Sequence, residues 1–224
     1  MESIDTNIKL VRNRIFPSNT YLLLSASKET YIIIDPGLDN QTLIIEMKEL
    51  GLTPVAVLST HGHFDHIGSV ANIQAEFKIP FYVHELDLKI VQSANFFLQV
   101  AKINHKITTP KPDFLLKDKE DKIVIDDFEI DVYNFPGHSN GSCIFKFHNY
   151  LFTGDILYKN GLGPESMPRE DKKLLKESIQ EIFSKFSDDC LVLPGHGPSE
   201  YLGKIKQNNL DLKNFVANEI DAKP

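Results

Sequence analysis

Fully apolar segments that end abruptly at a turn constrain this chain more than any other feature. Residues 31–34 (YIII) are apolar at every position and end at the turn-forming segment 35–37 (DPG). Residues 55–58 (VAVL) have the same character and run directly into residues 60–66 (THGHFDH). Short continuous apolar runs bounded by turn residues are typical of buried strands. The sequence therefore favours sheets that other layers of structure cover.

Helices are predicted between the strands. The first begins at about Asn40, places Leu43, Met47 and Leu50 on one face, and ends at Gly51. The most clearly amphipathic helix lies late in the chain, and its apolar face consists of Leu174, Leu175, Ile179, Ile182, Phe183 and Phe186. Layered sheets covered by helices satisfy this alternation of elements.

Shorter elements complete the expected α/β organisation. Further helices are expected near His66 and from about Glu85, whereas residues 101–116 form the least regular stretch because Pro110 and Pro112 break any helix. The remaining strands are expected at residues 8–11, 21–24, 81–83, 123–125, 128–133, 142–147, 150–152 and 190–193. No repeat or linker divides the chain, so residues 1–224 are predicted to form a single domain.

Charge and cysteine content exclude several functional classes. The net charge of −7 and the absence of a basic stripe give no reason to expect a nucleic-acid partner. The two cysteines, Cys143 and Cys190, are too few for a disulfide scaffold and too far apart for a zinc knuckle, and both are expected in the core. No apolar run approaches the roughly 20 residues that span a bilayer, and the acidic N-terminus lacks the apolar region of a secretory signal. We therefore expect a cytoplasmic protein without a membrane partner.

Potential metal ligands are concentrated where apolar segments end. Five of the eight histidines follow such a segment directly or close the cluster behind it: His61, His63, His66, His138 and His196. Open α/β sheets usually build their sites at strand ends. Three imidazoles and the Asp65 carboxylate within six residues are costly to bury unless a cation satisfies them. Imidazole combined with carboxylate favours zinc, iron or manganese over calcium or magnesium.

Three later segments supply further ligands in the same context. They are residues 135–139 (FPGHS), 152–155 (FTGD) and 194–197 (PGHG), and each joins apolar residues to a glycine and then to a potential ligand. The glycine lets backbone segments approach closely. Taken singly, His138 and His196 would be interpreted as helix caps or surface residues. Their combination with the first cluster predicts a metal-dependent enzyme.

In this order, the motifs T-H-x-H-x-D-H, P-G-H-S, T-G-D and P-G-H-G resemble those of the metallo-β-lactamase-fold superfamily. Within it, the sequence is most similar to the glyoxalase II-like thioester hydrolases. The resemblance extends from Asp35 to about Lys204. It implies a four-layer αββα sandwich, in which helices flank two mixed β-sheets and the metal centre lies at one edge of the sheets.

The resemblance also implies two divalent metal ions, zinc first, with iron or manganese as alternatives. It assigns three ligands to each ion and one bridging carboxylate: His61, His63 and His138; Asp65, His66 and His196; and Asp155. Two neighbouring cations need an anionic bridge, and they bring the pKa of a bridging water towards neutrality. Asp65 is given a catalytic role as well, in which it orients hydroxide or transfers a proton.

The resemblance implies hydrolysis of a thioester, lactone or related ester of a small molecule. The presence of both His66 and Asp155 points away from β-lactam hydrolysis. Relatives usually carry Gly-Arg-x-Asp after the T-G-D motif, whereas residues 163–166 read GPES. The short segment after Tyr201 leaves no room for the glutathione-binding helical domain of longer members. Glutathione is therefore not the expected substrate carrier.

Two other functions stay open at this point. A persulfide dioxygenase-like mononuclear iron oxidoreductase would use only His61, His138 and Asp155 as ligands, and the missing Gly-Arg-x-Asp weakens that reading. A non-catalytic binding module could be stabilised by metal. An intact set of seven ligands argues against the binding module, because a structural metal does not need an open bridging site.

Other residues have two interpretations each. Asp35 is a candidate to support the metal-binding loop through hydrogen bonds, or it only initiates a turn. Residues 96–98 (FFL) form either an apolar wall for an acyl chain or lactone, or ordinary core. Lys204 and Lys206 match the family's closing segment, or they lie on a solvated helix face. Three histidines match no ligand motif and are expected to be ordinary polar residues: His84, His105 and His148.

Overall fold

The computed structural model describes residues 1–162 and 170–217, which form two β-sheets packed between helices. Within these residues the first sheet has seven strands in chain order, β1 to β7: Glu2–Ser3, Ile8–Arg12, Asn19–Leu24, Thr30–Ile34, Thr53–Leu58, Phe81–His84 and Phe114–Leu116. The second sheet has six, β8 to β13: Glu120–Ile125, Phe128–Asn134, Cys143–Phe147, Tyr150–Gly154, Leu191–Pro194 and Glu200–Tyr201. Both sheets are mixed, because strands β4 to β7 pair in parallel, as do β11 and β12, and the other pairs are antiparallel.

Helices cover the outer face of each sheet. In the described part of the chain they are α1 to α8: Asn40–Leu50, Phe64–Ile67, Val70–Phe77, Leu88–Gln92, Ala94–Val100, Lys172–Lys185, Leu202–Asn208 and Leu210–Ala217. A 3₁₀ turn at Glu85–Asp87 precedes α4. Helices α1 to α5 pack on the first sheet and α6 to α8 on the second. The predicted four-layer αββα sandwich is thereby confirmed.

The apolar strands are buried on both faces. In β4, Tyr31 and Ile33 pack against the helices, whereas Ile32 and Ile34 pack against the opposite sheet. In β10, Phe145 and Ile144 divide in the same way between the two interfaces. A strand covered on both sides needs apolar residues at every position rather than at alternate ones. This burial explains the continuous apolar runs in the sequence.

Helix α1 begins and ends as its sequence predicts. The Asp39 carboxylate accepts a hydrogen bond from the Thr42 amide at 3.3 Å and caps the N-terminus. Gly51 ends the helix with φ of 69°, and its amide donates to the Lys48 carbonyl. Glycine adopts this left-handed conformation without the steric cost that a Cβ atom imposes. No helix within the described ranges is both long and apolar enough to cross a membrane.

Two helical predictions were wrong in detail. The helix expected near His66 is two helices, because the Ser69 amide donates to the Pro36 carbonyl at 3.1 Å instead of continuing α2. The helix expected from Glu85 is a 3₁₀ turn followed by α4 and α5, which meet at Ser93. The first segment is interrupted by a tertiary hydrogen bond, and the second is interrupted at Ser93, whose backbone (φ −95°, ψ 6°) departs from α-helical geometry.

The stretch expected to be irregular ends in a strand. Residues 101–113 contain no strand or helix, but Phe114–Leu116 pairs with β6 in parallel. Phe114 stacks on Tyr82 with ring centroids 4.6 Å apart. This strand is short, and two of its three residues are exposed. Pairing with β6, rather than a pattern of its own, therefore makes it a strand.

The two faces of α1 predict a contrast in stability. Leu43 is 0% exposed and Ile45 is 57% exposed. We expect Leu43→Ala to lower the free energy of unfolding by about 2–5 kcal/mol, because it leaves a cavity in the core. Ile45→Ala, on the same helix, should change it by no more than about 0.5 kcal/mol. Urea denaturation measures both values, and similar losses in the two variants would contradict this account of the packing.

Candidate metal centre

The predicted ligands lie where strands of both sheets end at a common edge. Residues 61–66 follow β5, His138 follows β9, Asp155 follows β11 and His196 follows β12. Strand register brings these ends together: β4 and β5 end side by side, with Ile34 opposite Leu58, and β11 and β12 also end in register. Sequence segments that are far apart therefore present their polar residues to one place.

One group consists of three histidines, His61, His63 and His138. All three are buried, and one ring nitrogen from each lies within 4.8 Å of the others. His63 Nδ1 is 2.9 Å from His138 Nε2. His61 Nδ1 lies 3.1 Å from the Thr60 hydroxyl, which orients its ring. Three imidazoles thus converge on one small volume.

A second group consists of Asp65, His66 and His196, and it adjoins the first. His196 Nε2 lies 3.1 Å from Asp65 Oδ2, and His66 Nε2 lies 3.5 Å from the same oxygen. Their ligand atoms all lie within 4.8 Å of one another. This set offers one carboxylate and two imidazoles.

Asp155 lies between the two groups. Its Oδ2 is 3.7 Å from His138 Nε2 in the first group and 3.4 Å from His196 Nε2 in the second. Its Oδ1 is 3.4 Å from His66 Nε2. A single carboxylate therefore faces both clusters. The structure brings together all seven residues that the sequence nominated, although ligation of a metal stays a prediction.

The chemistry of the first group fits a divalent cation. Burial lowers the pKa of His61 and His63 below the usual value and that of His138 to about 3. These imidazoles are neutral at neutral pH, which is the form that binds metal. His61 Nε2 and His63 Nε2 are buried without a hydrogen-bond partner among the described residues. Buried polar atoms without partners are costly, and a cation would satisfy them.

The second group has the opposite protonation. Burial lowers the pKa of His66, but the carboxylates of Asp155, Asp65 and Asp35 more than offset it and raise the pKa well above its usual value. The pKa of His196 is raised to about 10, because Asp155 outweighs the effect of burial. Without metal, these imidazolium groups neutralise the carboxylates, and a bound cation would displace their protons.

Gly195 is required by the closeness of two candidate ligands. A Cβ atom at this position would lie 2.3 Å from Asp155 Oδ1 and 2.5 Å from His66 Cε1. Any larger residue would therefore push these side chains apart. This close approach explains the glycine before His196 in the P-G-H-G motif.

Asp35 supports the loop, as the sequence analysis proposed. Its carboxylate is buried and accepts hydrogen bonds from the Thr60 amide and the Thr60 hydroxyl, both at 2.7 Å. Its Oδ2 also lies 3.0 Å from His66 Nδ1. One carboxylate thus orients both the start of the 60–66 loop and a candidate ligand.

Sequence reasoning missed two residues that hold the site. Asn19 donates its side-chain amide to the Pro194 carbonyl at 2.9 Å and to the Gly197 carbonyl at 2.8 Å, so that it brackets His196. Asp87 is 0% exposed and accepts hydrogen bonds from the segments that carry the three histidines of the first group. Neither residue belongs to a recognisable motif, and only buried polarity identifies them.

A cavity of about 770 Å³ opens above the two groups. Its floor includes His63, Asp65, His138, Asp155 and His196. Its apolar walls include Phe16, Phe64, Phe97, Val100 and Leu162. Of the predicted apolar wall at residues 96–98, Phe97 lines the cavity, whereas Phe96 is 61% exposed outside the lining and Leu98 is core. Of the three residues, Phe97 alone lines the cavity, and its role as a wall for an acyl chain or lactone stays a prediction.

The remaining candidates have structural positions away from this cavity. Lys206 donates to the Phe183 carbonyl at 2.9 Å and Lys204 pairs with Glu200, so both lie on a helix face. His84 is buried and caps the 3₁₀ turn, and the two buried cysteines are core residues. His105 and His148 join none of the ligand groups in the described residues. Residues 163–166, which read GPES where relatives usually carry Gly-Arg-x-Asp, lie outside the described residues.

Comparisons with known proteins extend along most of the chain. The family model described as the metallo-beta-lactamase superfamily matches residues 13–206. Hydroxyacylglutathione hydrolase GloC of Haemophilus influenzae is 30% identical over 211 residues, which cover 91% of this chain and 96% of that protein. The structure of BLEG-1 B3 metallo-beta-lactamase is 32% identical with a TM-score of 0.80 and covers 92% of this chain and 99% of its own. The structure of TTHA1623 in a di-iron-bound form is 30% identical with a TM-score of 0.81 and covers 90% and 98%, respectively.

Replacement of Asp35 tests its hold on the loop. Asp35 has a positive φ of 54°, which asparagine tolerates well, so Asp35→Asn removes the charge with little backbone strain. The amide removes one of the three carboxylates near His66, and we expect the free energy of unfolding of the metal-free protein to fall by about 1–3 kcal/mol. Asp126→Asn is the matched control, because Asp126 is exposed and has φ of 48°. Equal unfolding free energies for the two variants would refute the role given to Asp35.

Proposed function

This chain belongs to the metallo-beta-lactamase superfamily, and on that premise we propose that it is a dinuclear metal-dependent hydrolase. Its substrate would be a thioester, lactone or related ester of a small molecule. The observation that carries the proposal is the pair of adjacent ligand groups, joined by Asp155, on the floor of an open cavity. The similarity to a hydroxyacylglutathione hydrolase supports the substrate class. The similarity to a protein solved in a di-iron-bound form supports a two-metal centre.

We assign one ligand group to each of the two ions. His61, His63 and His138 would hold one, and three further residues would hold the other: Asp65, His66 and His196. Asp155 would contribute to both. Two divalent cations, when bound, supply Lewis-acid activation of water and of the substrate carbonyl. Zinc is the expected metal, with iron or manganese as alternatives.

We assign proton transfer to Asp65. Burial raises its pKa, but His66 and a hydrogen bond from His196 more than offset this and hold the pKa below its usual value. The carboxylate is therefore ionised at neutral pH, and it lies on the cavity floor. It can accept a proton from the attacking water and return it to the departing thiolate or alkoxide. In this proposal, the floor residues would hold the metal ions that activate water, and the apolar walls would orient the substrate.

The cavity walls favour an apolar acyl group. Phe97 lies edge-on to His63 with ring centroids 6.2 Å apart, so the apolar wall begins directly beside the candidate ligands. Val100 continues this wall one helical turn further along α5. An acyl chain whose carbonyl lies at the floor would extend over these residues. Burial of its methylene groups would then contribute to binding.

β-Lactam hydrolysis and iron-dependent oxidation are the two alternative activities. The 32% identity to BLEG-1 B3 metallo-beta-lactamase favours β-lactam hydrolysis as a second candidate, and the presence of both His66 and Asp155 argues against it. A mononuclear iron oxidoreductase would need only three of the seven ligands. Elemental analysis, combined with assays on thioesters, lactones and a β-lactam, separates the three. Two ions per chain with ester hydrolysis supports our proposal, whereas one iron with oxygen uptake contradicts it.

His138→Ala tests the proposal at a single ligand. We expect it to abolish hydrolysis, because it removes one of three imidazoles in the first group and a neighbour of Asp155. The circular dichroism spectrum should stay that of the wild type. His105→Ala, which alters a histidine outside the ligand groups, should keep full activity. Survival of activity in His138→Ala would show that the assignment is wrong.

The apolar wall predicts a dependence on acyl chain length. Each methylene group buried against it is worth about 0.8 kcal/mol, or about fourfold in kcat/KM. Val100→Asp should remove this gain for long chains and spare short ones, because it places a charge in the wall. Phe96→Asp is the matched control on the same helix, exposed but outside the lining. A wild-type enzyme indifferent to chain length, or equal effects of the two variants, would count against the wall.

A further inference from the structure

We propose that Asp87 is a positioning residue that fixes the geometry of the three-histidine group; the inference rests on the proposed function. Its carboxylate is wholly buried at the start of α4, below the cavity floor and outside its lining. It reaches two loops at once, one after β5 and one after β9. These are the loops that carry His61, His63 and His138.

Three hydrogen bonds form this connection. The Gly62 amide donates to Asp87 Oδ2 at 2.8 Å, and the Ser139 hydroxyl donates to the same oxygen at 2.7 Å. The Gly141 amide donates to Oδ1 at 2.8 Å. Hydrogen bonds that a carboxylate accepts are shorter and stronger than those between neutral groups. Both oxygens are therefore committed to holding the loops.

The contacts are placed for one group of ligands and not for the other. Gly62 lies between His61 and His63, and Ser139 directly follows His138. Each histidine of the first group is thus next to a residue that Asp87 holds. In the second group, Asp35 contacts His66 and Asn19 brackets His196, so its supports are different residues. Loss of Asp87 should consequently loosen only the three-histidine group.

Packing around Asp87 leaves no room for the loops to shift towards it. A Cβ atom on Gly141 would lie 2.7 Å from Asp87 Cγ, and one on Gly62 would lie 3.0 Å from the Asp87 carbonyl oxygen. The loop backbones therefore rest directly on this residue. An asparagine here keeps the volume but can accept from only one side. Whichever way its amide turns, its NH₂ group faces either the Gly62 or the Gly141 amide.

The test measures binding of Co²⁺ to the full-length, metal-free chain in competition with a chelator. His138→Ala and His196→Ala assign one dissociation constant to each ligand group. We expect Asp87→Asn to raise the constant of the three-histidine group about 10- to 100-fold, the range for residues that orient metal ligands. The other constant should not change. Asp113→Asn is the control, because Asp113 also accepts a backbone hydrogen bond, from Phe81 at 2.9 Å, away from the site.

Ser139→Ala provides a second variant in case Asp87→Asn does not fold. It removes one donor to Asp87 and should weaken the same group alone, by a smaller factor. Unchanged constants in the variants, or equal weakening of both groups, would overturn the role of Asp87. Absence of Co²⁺ binding to the wild-type chain would instead overturn the proposed function itself. The two failures are therefore distinguishable.

Discussion

The candidate site depends on one constraint: at the edge where the two sheets meet, six of the seven candidate ligands are buried and the seventh, His196, is partly buried. Imidazoles and carboxylates removed from water must be satisfied, and within the described residues they find few hydrogen-bond partners of their own. They face one another instead, across distances as short as 2.9 Å between His63 and His138. Such an arrangement is costly for an empty chain. Cations bound in the two groups would offset this cost, and we therefore expect metal binding to stabilise the folded chain.

The scaffold that holds this arrangement is built in the same way at each loop. Asp35 holds the 60–66 loop, Asp87 joins that loop to residues 138–141, and Asn19 brackets His196. All three are buried polar residues, and each hydrogen-bonds to backbone groups of the loops that carry the candidate ligands. Because the sheets beneath them are packed on both faces, these supports rest on rigid strands. Rigid support keeps ligands in the geometry that a metal requires.

The two ligand groups differ in charge, and this difference follows from their neighbours. The three-histidine group is kept neutral by burial, whereas His66 and His196 are kept protonated by the carboxylates beside them. The neutral group is ready to accept a cation. The second group must release protons first. Asp155 lies between a neutral and a charged set, which is the position that an anionic bridge between two neighbouring cations would occupy.

The sequence by itself predicted sheets covered by helices and nominated residues after strand ends as ligands, because apolar runs and short motifs are local patterns. The four-layer αββα order and the division of the ligands between two ions came from the resemblance to a known superfamily. Tertiary structure alone decided where α2 ends, because the Ser69 amide donates to the Pro36 carbonyl instead of continuing the helix. It also decided that Phe114–Leu116 is a strand, because this segment pairs with β6. It also decided that Asp87 supports the site and that Phe97 rather than Phe96 lines the cavity. These outcomes depend on which distant segments meet. The sequence shows the chemistry of each residue, but only the folded structure shows which distant residue it contacts.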